Sequence, residues 1–383
     1  MSVLHKSVIF VFILLLISSS FPSGAKGAGL SVSAESAVLM EQESGRILFE
    51  KNPHERRRIA SITKIMTALL AIESGKMKKD VKISSYAAGT EGSSLYLKPG
   101  QKMKLEDLVY GLMLRSGNDA GVAIAEYIGG SVEGFAYLMN QKAEELGMKD
   151  SNFTNPHGLD NTKNHYSSAY DMALLTKYAM KFSEYRKITG TKIHKAPNPN
   201  ENWDYSWRNK NRLLTQLYKY CTGGKTGYTK LARRTLVTTA EKDGLKLIAV
   251  TLNDGDDWDD HKNMYEYAFS HYKLTELLSA GKITKIKNKI YKGKIYAKNS
   301  FYFPLTEDES TQISLKLKLL KPQEDWESTK EIPEIVGKHT FYLEDEEIGS
   351  RNIFYGKYQE KGKETWIQSW KNVFLTALGI RHG

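Results

Sequence analysis

The chain has 383 residues, 40% of them hydrophobic, with 55 Lys and Arg against 44 Asp and Glu for a formal net charge of +11. That length exceeds one ordinary domain and the apolar fraction can bury a sizeable core, so two or three structural units are expected. A single cysteine, Cys221, excludes an intrachain disulfide, and no nucleic-acid-binding motif accompanies the basic charge.

In chain order, His5 and Lys6 precede an apolar run from Val8 to Ile17, then Ser18, Ser19 and Ser20, and then small residues at Ala25, Gly27 and Ala28. This order reads as a secretory signal over 1–28, with cleavage expected between Ala25 and Ala28, because the run is too short for a permanent membrane span. The remaining chain is still basic. Outside a cell that charge suits anionic wall polymers or lipid headgroups, or it is a solvated surface, since the lysines are widely spread.

Ala37–Met40 and Ile47–Phe49 flank Glu43-Ser44-Gly45 and read as a strand, a turn and a strand. From Ser61 to Ile72, apolar residues at Ile62, Ile65, Met66, Leu69 and Ile72 have helical spacing, with Gly75 as the stop. Further helices are expected from about Leu105 to Leu114, Ala120 to Ile128, Glu133 to Leu146 and Tyr170 to Met180. Arg234–Ala240 and Leu245–Leu252, joined through Asp243-Gly244, give a hairpin signal.

Strands at both ends with helices between them predict one α+β domain over 29–273, its antiparallel sheet flanked by helices. A small all-β domain is expected over 274–360, where Ile313, Leu315, Leu317 and Leu319 alternate with polar residues. Over 361–383, Trp366, Ile367, Trp370, Val373, Phe374, Ala377 and Leu378 share one helical face. Such an amphipathic helix suits a membrane interface, where indole rings prefer the headgroup level, or it docks on the β domain.

Ser61-Ile62-Thr63-Lys64 puts a hydroxyl and an amine three residues apart on one helix face. A serine hydroxyl is a weak nucleophile that an adjacent base activates, and lysine serves when its neutral form is favoured. The spacing alone is weak evidence. It gains weight from Ser116-Gly117-Asn118 between two expected helices and Lys225-Thr226-Gly227 on an expected strand, in the order known for serine acyl-enzymes.

With these three elements the sequence resembles the low-molecular-mass penicillin-binding proteins of the D-alanyl-D-alanine carboxypeptidase family, serine peptidases of the β-lactamase-like fold. The likeness extends to Arg58-Ile59-Ala60, to Tyr110–Arg115 and to Asn155-Pro156-His157-Gly158-Leu159. Within the family it is most similar to the sporulation-specific carboxypeptidase of endospore-forming bacteria, through Glu91-Gly92-Ser93 and the run from Asn253 to His261.

The resemblance implies catalytic Ser61, Lys64, Ser116 and Asn118, and substrate binding by Lys225, Thr226, Gly227 and Tyr228. Ser61 would attack the penultimate D-Ala carbonyl of a peptidoglycan stem ending in D-Ala-D-Ala, with Lys64 taking the proton. Ser116 would pass a proton to the departing amine, Asn118 would bond the substrate, and Lys225 with Thr226 would face its carboxylate. Backbone N–H groups of Ser61 and Tyr228 would form the oxyanion hole. It also implies covalent inhibition by β-lactams, a peripheral extracytoplasmic location, no metal and no cofactor.

The sequence departs from the family where many relatives place a basic carboxylate-binding residue: here stand Asp254, Asp256, Asp257, Asp259 and Asp260. Lys225 with Lys230, Arg233 or Arg234 is then expected to hold the carboxylate, and the acidic stretch reads as a solvated loop rather than a cation site. His157, after Pro156 and before Gly158, reads as a turn residue, and Cys221 as an inert thiol. The competing functions are a β-lactamase and a non-catalytic wall-binding protein. A β-lactamase of class A needs a Glu-activated water, and no Glu stands between Leu146 and Tyr170.

Overall fold

A computed structural model of the protein describes residues 30–199, 201–323, 326 and 332–358. The expected signal peptide and the amphipathic helix over 361–383 lie outside the described residues. A first compact unit takes in the described residues up to Leu39, Phe49–Thr239 and Ile248–Tyr267. A second takes in Met40–Leu48, Ala240–Leu247 and the described residues from Ala268 onward.

The expected first hairpin forms as β1 (Ser36–Glu41) and β2 (Ile47–Lys51). All six residues of β1 are buried, as befits a strand inside a sheet. Its last residue, Glu41, is a buried carboxylate whose oxygens accept from the N–H groups of Glu43 and Ser44, at 3.1 and 2.6 Å, which closes the turn. Short pairs β3 (Asp80–Lys82) with β4 (Lys102–Lys104), and β5 (Ile193–Ala196) with β6 (Tyr205–Arg208), are additions that sequence periodicity did not reveal.

The remaining strands of the main sheet are β7 (Cys221–Thr229), β8 (Arg233–Lys242) and β9 (Leu245–Leu252), and the sheet order is β2-β1-β9-β8-β7. Backbone bonds from Glu35 to Asn253 and from Gln42 to Lys246 show that β1 and β9 run antiparallel, so distant parts of the chain join in one sheet. The helices of eight residues or more among the described residues are α1 (Lys64–Glu73), α2 (Leu105–Arg115), α3 (Asn118–Gly129), α4 (Val132–Glu145), α5 (Ala169–Ala179), α6 (Ser183–Gly190) and α7 (Asp257–His271).

Eight of the ten residues of α1 are buried, including Lys64, so this helix is the centre of its unit. One turn of 3-10 helix, Ala60–Thr63, precedes it. The acidic stretch is not a loop throughout: Asp257, Asp259 and Asp260 form the first turn of α7, where carboxylates favour the helix N-terminus.

In the second unit, β10 (Lys273–Leu278) pairs with β13 (Phe301–Leu305). A five-stranded sheet runs β11 (Gly281–Lys282), β12 (Ile295–Ala297), β16 (Glu346–Tyr355), β15 (Ile335–Leu343), β14 (Ile313–Leu319) in space. The alternation read in 313–319 has its counterpart here: Leu317 and Leu319 pack on a core of Tyr291, Ile295, Trp326, Val336 and Ile353. The β15–β16 hairpin turns on Glu344 and Asp345, both at positive φ, as a tight two-residue loop requires.

Candidate active site

Ser61 stands in the 3-10 turn and Lys64 at the start of α1, so the tighter i to i+3 geometry brings their side chains together. Lys64 Nζ lies 2.9 Å from Ser61 Oγ, 2.8 Å from Asn118 Oδ1 and 2.6 Å from the His157 carbonyl oxygen. Its amine is held well below the ordinary lysine range, by burial first and then by Lys225 and Lys210, with Asp119 opposing.

A neutral amine has two N–H bonds, and Asn118 Oδ1 and the His157 carbonyl can only accept. The Asn118 amide is oriented by its own Nδ2, which donates to the Glu91 carbonyl at 2.7 Å. In the neutral form both amine protons are spent on these oxygens and the lone pair is left for the hydroxyl hydrogen of Ser61; in the charged form the third proton is donated to Ser61 Oγ.

Ser116 caps α2 in a left-handed conformation, φ +68°, and Gly117 follows as the N-cap of α3. A Cβ on Gly117 would meet the Leu95 side chain at 2.6 Å, which accounts for glycine where an Asp is common. Lys225, buried on β7, donates to Ser116 Oγ at 3.1 Å and to the Thr226 carbonyl at 2.6 Å. Burial, and then Lys210, push its amine down to about 7. The Asn118 amide is engaged by Lys64 through Oδ1 and by the Glu91 carbonyl through one N–H of Nδ2.

Strand β7 lies directly against the nucleophile turn. A Cβ at Gly227 would stand 2.9 Å from the Ser61 nitrogen and 2.4 Å from Thr235 Oγ1, so only glycine lets the strand approach. Thr235 Oγ1 donates to the Ile59 carbonyl at 3.0 Å and ties β8 to the same turn.

These parts open on a cleft of about 400 Å³ lined by Ser61, Ser116, Thr226, Gly227 and Tyr228 together with Ser93, Lys210, Arg234, Asp257 and Trp258. Lys64, Asn118 and Lys225 are buried behind that lining. Of the cations weighed for the substrate carboxylate, Arg234 reaches the cleft, while Lys230 and Arg233 are exposed outside its lining. Arg234 pairs with Asp257 and lies 5.8 Å over the Trp258 ring.

Of the rest of the acidic run, Asp256 and Asp259 are exposed while Asp254 and Asp260 serve the fold. Asp260 Oδ2 accepts from the N–H groups of Ser33 and Ala34, and Asp254 Oδ1 accepts from Ser33 Oγ. His157 is a turn residue: Asn155 Oδ1 accepts from its N–H and that of Gly158, and burial, then Lys64 and His165, hold the ring down to about 3. The role that sequence reading missed is its backbone carbonyl, which positions Lys64. A Cβ at Gly158 would fall 1.8 Å from the Ala60 carbonyl, so Asn155-Pro156-His157-Gly158 was the legible trace of that close packing. Cys221 is buried, and burial pushes its thiol up to about 11.

A helix-borne serine beside a buried lysine, under a sheet edge, places the fold and the site in the class of serine peptidases. The sequence pattern of the family described as D-alanyl-D-alanine carboxypeptidase matches residues 23–256, and that of the penicillin-binding protein 5 C-terminal domain matches 272–361. The chain is 38% identical over 301 residues to D-alanyl-D-alanine carboxypeptidase DacF of Bacillus subtilis, covering 76% of each. It is 30% identical over 348 residues to DacA of Haemophilus influenzae, covering 84% of each. Penicillin-binding protein 5 from Haemophilus influenzae shares the fold with a TM-score of 0.69 at 27% identity, over 85% of this chain and 97% of that one. The chain belongs to the D-alanyl-D-alanine carboxypeptidase family.

Proposed function

We propose that this chain is a serine-type D-Ala-D-Ala carboxypeptidase in which Ser61 removes the terminal D-Ala from peptidoglycan pentapeptide stems through an acyl-enzyme. The observation that carries the assignment to Ser61 is the arrangement at Lys64, whose Nζ lies 2.9 Å from Ser61 Oγ and is held by two fixed acceptor oxygens, so that its neutral form turns the lone pair to the serine. Ser61 Oγ gives its proton to Lys64 Nζ as it bonds the penultimate D-Ala carbonyl carbon, and the N–H groups of Ser61 and Tyr228 receive the oxyanion.

Collapse breaks the C–N bond. Ser116 delivers its hydroxyl proton to the leaving amine, and Lys225, at 3.1 Å, resupplies it. The proton that Lys64 took from Ser61 is returned through Ser116 to Lys225, leaving Lys64 neutral for the next step. Water then attacks the ester with Lys64 as base, releasing the shortened stem. Arg234 and Thr226, both lining the cleft, take the terminal carboxylate, the planar guanidinium being suited to two-point binding. Asn118 holds Lys64 through Oδ1, and the second N–H of its Nδ2 serves the substrate.

Among the residues lining the cleft the one carboxylate is Asp257, and Arg234 neutralises it. For a penicilloyl ester on Ser61 the cleft accordingly offers water only Lys64 and no free carboxylate, so its hydrolysis should be slow beside that of a class A β-lactamase. The decisive experiment is mass spectrometry of a diacetyl-Lys-D-Ala-D-Ala digest: release of one D-Ala is expected, and an unchanged peptide overturns the reading. Covalent labelling by fluorescent penicillin, lost in Ser61→Ala, separates it from a wall-binding protein.

The finer expectations belong to the same reading. A catalytic domain over 29–273 and a β domain over 274–360 are supported by the two family segments. Export and peripheral attachment through 361–383 rest on sequence pattern; deleting 362–383 should free the protein from membranes with activity intact. A role in limiting spore-cortex cross-linking rests on the sequence resemblance at Glu91-Gly92-Ser93 and from Asn253 to His261, and a cortex of unchanged cross-linking in a deletion strain would reject it.

A further inference from the structure

A second groove, of about 460 Å³, is built from the same three chain segments as one wall of the cleft. Ser93, Ser116 and Lys210 line the cleft; Ser94, Arg115 and Arg208 line the groove. Neighbouring residues of a chain have Cα atoms about 3.8 Å apart, so the two cavities lie next to each other at Ser93-Ser94 and at Arg115-Ser116.

The groove presents two exposed rings. Trp203 is 59% exposed and Tyr96 is 83% exposed. Tyr96 is also held at φ +62°, a left-handed conformation that a bulky residue adopts only when its surroundings impose it. The imposition comes from the active-site helix: Asp119, next to Asn118, accepts from the N–H groups of Leu95 and Leu97 on either side of Tyr96, at 2.9 and 3.2 Å. Trp203 stands at 5.9 Å, edge to face, from the buried Tyr205, which stacks on Trp207. Arg115 and Arg208 add positive charge, while Lys98 is paired with Glu201.

Two exposed rings on a fixed base, flanked by cations, match a ligand with apolar ring faces and carboxylates. The polymer that bears the stem has both: the C–H faces of N-acetylated pyranose rings, and the acidic groups of the stem near its attachment. We propose that this groove binds the glycan strand of peptidoglycan beside the stem being trimmed, with its sugars on Trp203 and Tyr96. The inference rests on the carboxypeptidase reading of the cleft. An extended five-residue stem reaches at most about 17 Å, so its sugar attachment has to lie close to the cleft.

The test compares two substrates. Trp203→Ala combined with Tyr96→Ala should lower kcat/KM on polymeric peptidoglycan carrying pentapeptide stems about tenfold. The same variant should cleave diacetyl-Lys-D-Ala-D-Ala within about twofold of the unaltered protein, because that tripeptide carries no sugar. Stem-free glycan strands should compete with the polymer on the unaltered protein and not on the variant. An equal fall on both substrates, no fall on the polymer, or strands that fail to compete overturns the proposal. Absence of tripeptide cleavage by the unaltered protein overturns the acyl-enzyme reading itself, which the groove variants do not address.

Discussion

Ser61 and Ser116 each have a lysine amine within reach, at 2.9 and 3.1 Å, yet the two pairs are assembled in opposite ways. Ser61 and Lys64 are three residues apart, and one turn of 3-10 helix brings them together. Ser116 and Lys225 are joined across the fold, from a left-handed helix cap to a sheet edge. Lys64 is held by three oxygens and Lys225 by two, so the first pair is fixed as a base and the second keeps freedom to exchange a proton. A local pair can be rigid from its own backbone; a distant pair is only as accurate as the packing between its elements.

The largest expected effect tests that asymmetry at the local pair. Lys64→Met should lower acylation of Ser61 by penicillin by about 10⁴-fold or more, read by the rate of covalent labelling, with the fold kept. Asn118→Ala removes one of the two oxygens that orient the amine and should cost about 10²-fold in kcat, since a base displaced by about 1 Å is that costly. Arg234→Gln should raise KM for a substrate with a free C-terminal carboxylate about tenfold or more and leave a C-terminal amide substrate unaffected.

The distant pair is sharpened by pH. Lys225 titrates near 7, so activity that uses its charged form should decline as pH rises through that value, and Lys225→Arg should remove this alkaline limb. Stability runs the other way. The folded chain gives up this proton at about 7 and the unfolded chain at about 10.4, so the group's contribution rises with pH between them and is least favourable below 7. Lys225→Met should therefore raise the melting temperature at pH 6 while activity is lost, and an unchanged or lower melting temperature would contradict the cost assigned to that buried amine.

The smallest effect concerns the strained ring: Tyr96→Gly should stabilise the fold by about 1 kcal/mol, because glycine accepts φ +62° without penalty. Denaturant unfolding would measure it.

How much was legible follows from the same contrast. Ser61 and Lys64 were readable because their spacing is local, and the buried face of α1 was readable because its apolar residues repeat at helical intervals. Ser116, Asn118, Lys225 and Gly227 were readable only as an ordered set of motifs. The oxygens that hold the amine and the amide were not, because the carbonyls of His157 and Glu91 belong to backbone and leave no residue-type signature. Arg234 was one of several candidates until the sheet put it in the cleft. Helix α7 was missed because Asp257, Asp259 and Asp260 read as a polar loop, whereas at a helix N-terminus their charge is favourable.

Cys221 begins the strand that ends in the substrate-facing residues, and its thiol is buried and pushed up to about 11. Alkylating reagents need a thiolate they can touch, so the closed strand is invisible to them. The modification rate of the chain's one thiol thus becomes a clock for the opening of β7: measured against the rate in denaturant, it gives the free energy of lifting the active-site edge away from the sheet. Because there is no second cysteine to pair with, that clock runs without interference from disulfide exchange.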